Sequence, residues 1–322
     1  MIRRHFVNLA LGLILLVFVI ETTLQAMLGI GTPVLVLWDA RYEYRMASNQ
    51  SILRFRKRIE TNALGLRSRP FTVTKSDPKE LRVLVVGDSV IQGGSHVDQG
   101  SLATSILEWK LQERWKRPVL VINASANSWG PANQLAFLEA EGTFDADIAV
   151  VVLSSHDLVD LPTNMELARK HNGEVMNRPV SAITELLGMA WARVMPGAMP
   201  AALDETDAAR VAEGGAAVRA LLERLKERVP TVTVALHWDA EEQSTGVPRP
   251  AHDELVAIVA SLGLPLWELG PALASASRSG SDAVNPLRPM MADRIHPTAL
   301  GQEVLAEELL RRMSEIAPVA HE

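Results

Sequence analysis

The chain has 322 residues, 48% of them apolar and 22% charged, enough for one large domain or two small ones with a substantial buried core. Its net charge of −6 comes from intermixed acidic and basic residues, which excludes the basic stripe that a nucleic-acid partner requires. There is no cysteine, so disulfides and thiolate metal sites are excluded while the compartment stays open.

Residues 1–30 differ from the rest. A basic head, Arg3-Arg4-His5, precedes an apolar run from Phe6 to Ile20 that only Asn8 interrupts, and Glu21 closes the run. This is the pattern of a signal peptide or an uncleaved signal anchor. Around Leu24-Gln25-Ala26 there is no small-x-small cleavage site, which favours the anchor, with Glu21 at the membrane interface. Arg3 and Arg4 then put the N-terminus inside, opposed by Arg41, Arg45 and the run Arg54-Phe55-Arg56-Lys57-Arg58 further along. The expected location is the inner membrane with a periplasmic or extracytoplasmic body, or a secreted body if the segment is cleaved. Residues 31–78 form a lead-in. Within it Pro33–Trp38 reads as a short strand or a membrane-surface contact, and Thr61–Arg67 as a turn-rich segment packing on the domain that spans 79–322.

From there strands and helices alternate. Val83-Leu84-Val85-Val86 is the centre of a strand buried on both faces, and it runs into Gly87-Asp88-Ser89. Leu102, Ile106, Leu107 and Leu111 share one face of a helix. Val119–Asn123 is the second strand, Pro131 starts a helix reaching Glu141, and Asp147–Leu153 is the third strand, ending in Ser154-Ser155-His156-Asp157. A long amphipathic helix over Ala208–Val229 precedes a fourth strand, Thr231–Leu236. A helix at Leu255–Leu262 capped by Gly263, an edge strand within Leu264–Leu269 and a closing helix over Thr298–Ile316 complete the series. Such alternation predicts a doubly wound, mainly parallel sheet covered by helices on both faces. Two segments break the rhythm: Leu158–Thr206, with a short helix near Ala182–Val194, and Gly270–Ala292. Both follow strands and are expected on the face where α/β sheets build their sites, as walls, a cap or ordinary insertions.

Ser89 stands at the carboxyl end of a buried strand, where it is either a helix cap or a nucleophile. A serine nucleophile needs a base, an orienting group and donors for the oxyanion. His296 can be the base, and Asp293, three residues upstream, can orient it if the segment forms one turn. His156, Asp157, Asp293 and His296 make a metal set on paper, but no His-x-x-x-His or thiolate spacing accompanies them, so no metal is expected. Gly87–Gly94 lacks the lysine and glycine spacing of a phosphate-binding loop.

Gly87-Asp88-Ser89 after the first strand, Asn123-Ala124-Ser125 after the second, the Ser-x-His-Asp step after the third and Asp293-Arg294-Ile295-His296-Pro297 near the end occur in the order of the SGNH/GDSL hydrolases. The chain resembles that family over residues 80–318. The resemblance implies a three-layer α/β/α sandwich of flavodoxin-like topology with a five-stranded sheet, a serine esterase mechanism and no cofactor. It implies Ser89 as nucleophile, His296 as base and Asp293 as its orienter, with the backbone N–H of Ser89 as one oxyanion donor. The family's glycine donor falls at Ser128, two residues before Gly130, and either N–H can fill that role; its oxyanion asparagine falls at His156, whose ring N–H can replace it. The expected substrate is an O-acetylated or otherwise acylated extracytoplasmic polysaccharide or glycan. An O-acyltransferase with the same triad and an inactive glycan-binding or assembly subunit of a secretion system remain as alternatives.

Overall fold

The computed structural model describes residues 2–162, 176–194, 207–278 and 295–315. An exposed apolar helix, α1 (Ile2–Thr23), continues as one wide turn at Leu24–Leu28 and ends on Gly29 in the left-handed conformation. Residues Arg3–Leu28 are long and apolar enough to cross a membrane. The lead-in then forms two antiparallel hairpins, β1 (Val36–Asp39) with β2 (Glu43–Met46) and β3 (Ser51–Arg54) with β4 (Lys57–Glu60). The single short strand expected near Pro33–Trp38 thus becomes four. Each has only four residues and carries charged side chains, too short a stretch for a period of two to register.

The main body contains β5 (Leu81–Gly87), α2 (Ser89–Gln92), α3 (Ala103–Trp115), β6 (Val119–Ser125), α4 (Pro131–Glu141), β7 (Ile148–Ser154) and α5 (Ala182–Val194). It continues through α6 (Ala208–Arg228), β8 (Thr231–His237), α7 (Ala240–Thr245), α8 (Pro250–Ser261), β9 (Leu266–Glu268), α9 (Gly270–Arg278) and α10 (Ala299–Met313). Five strands pair in the order β6-β5-β7-β8-β9, every pair parallel. This is the three-layer α/β/α arrangement preceded by an apolar helix. Successive strand residues face opposite layers. Leu84, Val86, Ile122, Ala149 and Val151 join one core with residues of α4, α6 and α8. Val83, Val85, Val121, Val150 and Val152 join another with residues of α3, α9 and α10. Each such β-branched or leucine side chain contributes about 1.5–3 kcal/mol on burial.

The lead-in belongs to the first of these cores. Tyr42 and Tyr44 pack with Trp129 and Phe137, the Tyr42 and Trp129 rings meeting edge to face at 5.8 Å. Helix α8 begins at Pro250, earlier than the expected Leu255, because proline suits the first helical position. The closing helix starts one residue after its cap, Thr298, whose hydroxyl accepts from Gly301 N–H at 3.2 Å. Parts of the two irregular segments, 163–175, 195–206 and 279–294, lie outside the described residues, and Asp293 is among them.

Candidate active site

Strand order reverses at β5, which has β6 on one side and β7 on the other, so the turns leaving β5 and β7 diverge and open a crevice at their carboxyl ends. Ser89 begins α2 at this point and is half-buried. Its neighbour Asp88 caps α2: one carboxylate oxygen accepts from Val90 N–H at 2.8 Å. Asn123 fixes the helix from behind, its amide donating to the carbonyl of Ile91 at 2.9 Å and to Thr104 Oγ1 at 3.1 Å. Buried Gln302 of α10 donates to the carbonyl of Val90 at 2.6 Å and accepts from Ala103 N–H at 2.8 Å. The serine therefore rides on a turn held at three points.

His156 leaves β7 in a short 3-10 turn, Ser155–Leu158, and reaches across to the same aspartate. Its Nε2 lies 3.2 Å from Asp88 Oδ2, and its Nδ1 lies 3.0 Å from Ser154 Oγ. Burial works against a charged ring, but the hydrogen bond to Asp88 and the fields of Asp157, Asp88 and Asp160 outweigh it and push the imidazole up to about 10. Burial likewise opposes the charge on Asp88, yet the His156 bond and charge, the Val90 N–H and the field of His296 hold its carboxyl below the ordinary value. Burial is the main cause that raises Asp157 well above the usual carboxylate range, and it raises Asp160 to about 6. Near pH 7 the cluster is an imidazolium bonded to a carboxylate, with further acidic groups beside it. Ligand atoms of Asp88, His156 and Asp157 lie within 4.8 Å of one another, a spacing that suits a cation. A protonated His156 has no lone pair to offer, so a metal there would first have to displace that proton.

The turn after β6 holds the two other expected donors. Ser128 adopts the left-handed region with φ +52°, and Gly130 begins α4 as its cap. Tyr44 Oη donates to the carbonyl of Asn127, and Trp129 Nε1 donates to the carbonyl of Tyr44 at 3.0 Å, so the lead-in hairpin clasps the turn. The N–H of Gly130 donates to Asn133 Oδ1 at 3.2 Å. A Cβ on Gly130 would stand 1.8 Å from the carbonyl oxygen of Asp160, in the turn that carries His156. Gly130→Ala is accordingly expected to destabilise the chain by about 3 kcal/mol, because two backbone segments must part, and urea unfolding will read this directly.

His296 precedes α10 and is braced on both sides by histidines that sequence reading passed over. His237, at the end of β8, donates from Nε2 to the carbonyl of Ile295 at 3.1 Å. His96 donates to the carbonyl of Pro297 at 3.2 Å, and its ring centroid is 6.0 Å from that of His296. Burial lowers the pKa of His237, against the opposing field of Asp88 and the bond to Ile295. The signal for His237 was present, since it ends a strand in the same way as the segment around His156. Ser89, His156, Ser128 and Gly130 follow β5, β7 and β6 at one end of the sheet, and His296 is close enough for its charge to act on Asp88. Asp293 lies outside the described residues.

No protein-family model matches the sequence and no curated protein matches it significantly. Among solved structures the chain is similar to Axe2, an acetylxylan esterase from Geobacillus stearothermophilus, with 15% identity, 72% of this chain and 94% of that one covered, and a TM-score of 0.46. It is similar to LAE5, an alpha/beta hydrolase enzyme from the metagenome of Lake Arreo, with 14% identity, 74% and 97% covered, and a TM-score of 0.46. A lipase/acylhydrolase from Enterococcus faecalis gives 15% identity, 73% and 96% covered, and a TM-score of 0.44. At such identities the likeness concerns the layout of strands and helices only.

Proposed function

We propose that this chain is a serine esterase of the SGNH type that removes O-acyl groups from an extracytoplasmic glycan through an acyl-serine. The observation that carries the reading is the half-buried Ser89 at the strand-order reversal, whose neighbour Asp88 is bonded to His156 and lies in electrostatic reach of His296. Ser89 Oγ attacks the ester carbonyl while an imidazole nitrogen of His296 takes its proton, and Asp293 orients and balances the resulting imidazolium. Collapse of the tetrahedral intermediate breaks the bond to the alcohol oxygen, which receives the proton from His296. Water then repeats the sequence on the acyl-serine and releases the acid.

The oxyanion would be met by the N–H of Ser89 and by the Ser128 turn; the Gly130 N–H already serves Asn133. His156 contributes as a fixed positive charge, since its pKa near 10 keeps it protonated across the neutral range. An acylated sugar is proposed because the body follows a helix able to cross a membrane, which suits an anchored enzyme facing outward from the inner membrane. The same triad would serve an O-acyltransferase if a sugar hydroxyl replaced water. A second reading, an inactive glycan-binding or assembly subunit, is favoured by one observation: both ring nitrogens of His156 are already engaged, by Asp88 and Ser154.

A fluorophosphonate probe separates these readings. The esterase predicts one adduct, on Ser89, found by peptide mass spectrometry, and acceptor sugars added to an aryl acetate assay would divert the acyl group only in a transferase. An adduct on a different serine overturns the assignment, and absence of any adduct together with absence of turnover supports the binding subunit.

A further inference from the structure

Helix α5 is unusual in this fold because it turns an apolar face to the outside. Of its thirteen residues only Ala182 is buried. At 100° per residue, Ile183, Leu186, Leu187, Trp191 and Val194 lie on the side away from Glu185. The three most exposed of these are Leu187 at 63%, Trp191 at 67% and Val194 at 75%. Glu185, on the other side, faces the body: it pairs with the buried guanidinium of Arg54 and accepts from Gly31 N–H. One face of the helix is thus fixed by an ion pair with little solvent access, and the opposite face, rich in large apolar groups, is exposed.

The position of α5 along α1 says what that face meets. Glu21 is the first acidic residue after the apolar run of α1 and marks where the hydrocarbon-compatible stretch stops. The same carboxylate caps α5, accepting from Ala182 N–H at 2.7 Å and Ile183 N–H at 3.1 Å. The start of α5 is therefore tied to the level at which α1 leaves the apolar layer. The junction is tight. A Cβ on Gly29 would stand 1.7 Å from the carbonyl of Leu53, and one on Gly31 would stand 3.2 Å from Ala182 N. Phe55 N–H donates to the carbonyl of Leu28 at 2.7 Å, and Arg54 donates to the carbonyl of Gly29 at 3.0 Å. These contacts bring the β3–β4 hairpin tip to the same level, with exposed Phe55, Arg56 and Arg58.

We propose that α5 lies on the surface of the membrane that α1 enters, its apolar face immersed among the acyl chains and the basic β3–β4 tip against anionic headgroups. The proposal rests on reading α1 as a membrane anchor and adds a second, amphipathic contact that fixes how the body is oriented on the bilayer. A helix of this kind, with tryptophan and leucine outward and its one acidic residue turned inward, suits an interface better than water.

The absence of cysteine makes the test direct. The full chain is reconstituted in vesicles of phosphatidylcholine and phosphatidylglycerol with a nitroxide at one of four single substitutions: Leu187→Cys, Trp191→Cys, Phe18→Cys in α1, or Trp109→Cys on the outer surface of α3. Collision rates with oxygen and with a water-soluble nickel chelate then report depth. Labels at 187 and 191 are expected about 5–10 Å below the headgroup boundary, the label at 18 deeper still, and the label at 109 in water. Aqueous labels at 187 and 191 with an immersed label at 18 would overturn the proposal and leave the anchor intact. An aqueous label at 18 as well would remove the anchor reading and the proposal with it. Dipolar broadening at 187 would overturn the proposal by showing that the face meets a second copy of the chain.

Discussion

A Ser89→Ala variant is expected to turn over 4-nitrophenyl acetate at least about 10³-fold more slowly than the native chain while unfolding at the same urea concentration. The two halves of this expectation come from different features. Loss of the hydroxyl removes the atom that would carry the acyl group, and a nucleophile and its base act as a unit, so His296→Ala should be about as damaging. Stability should hardly move, because the elements that shape α2 are elsewhere. Asp88 supplies the cap, Asn123 and Gln302 grip the helix carbonyls, and a half-buried serine without such a role is worth about 0.5 kcal/mol or less. Residual turnover near the native level would move the nucleophile to another side chain. A variant that lost activity and stability together would show instead that Ser89 is a structural cap.

The second large effect is expected at Asp88. In Asp88→Asn the side-chain oxygen that accepts from Val90 survives, so the cap of α2 is kept while the charge facing His156 is removed. With 4% of the Asp88 side chain and 21% of the His156 side chain exposed, the pair is largely shielded. Breaking it should lower stability at pH 7 by about 3 kcal/mol, since a mostly buried imidazolium loses its partner.

The pH dependence supplies an independent readout. His156 has a folded pKa of about 10 against an ordinary 6.5, so folding gains from its proton throughout the range below 6.5. Above 6.5 the unfolded chain releases that proton first, and the native chain's stability falls as pH rises toward 10, by at most about 1.4 kcal/mol per pH unit for one proton. Asp160, raised to about 6, acts with the same sign at lower pH, its stabilisation being lost as pH rises through that value. Removing the Asp88 charge brings the His156 pKa down and should shrink the alkaline slope. A slope unchanged in Asp88→Asn would mean that another group carries the titration.

The central sheet was legible because its strands are buried on both faces. Runs such as Val83–Val86 and Val119–Ile122 contain nothing else to read, and the order of strand-end polar groups along the chain corresponds to their clustering in space. The edge strand β9 was narrowed by Pro265, which stands just outside it. Helix α7 escaped reading although Asp239 and Glu242 form a capping box at its start; six residues are too few for a helical period to stand out. The lead-in hairpins escaped for the same reason of length.

Sequence order singled out Ser89, His156 and His296 as candidates, but not how they are supported. The bond from His156 to Asp88 spans 68 positions, and the braces from His237 and His96 to the carbonyls around His296 span 58 and 201. No local pattern encodes a pairing over such distances, because it depends on the strand order. The expected oxyanion role of His156 rested on its position alone; the carboxylates of Asp88, Asp157 and Asp160 are what fix its charge state.

Gln302 links this geometry to the time at which it forms. Its two bonds, to Ala103 and Val90, close loops of 199 and 212 residues, and both depend on a helix made some two hundred positions after the serine. During synthesis α1 and the lead-in hairpins emerge first, whereas the turn bearing Ser89 acquires its last support only when α10 docks. Contacts of such separation are slow to form and are reached after the local ones. A nascent or truncated chain lacking α10 would therefore present Ser89 on an incompletely supported turn, so docking of that helix is the last step in shaping it.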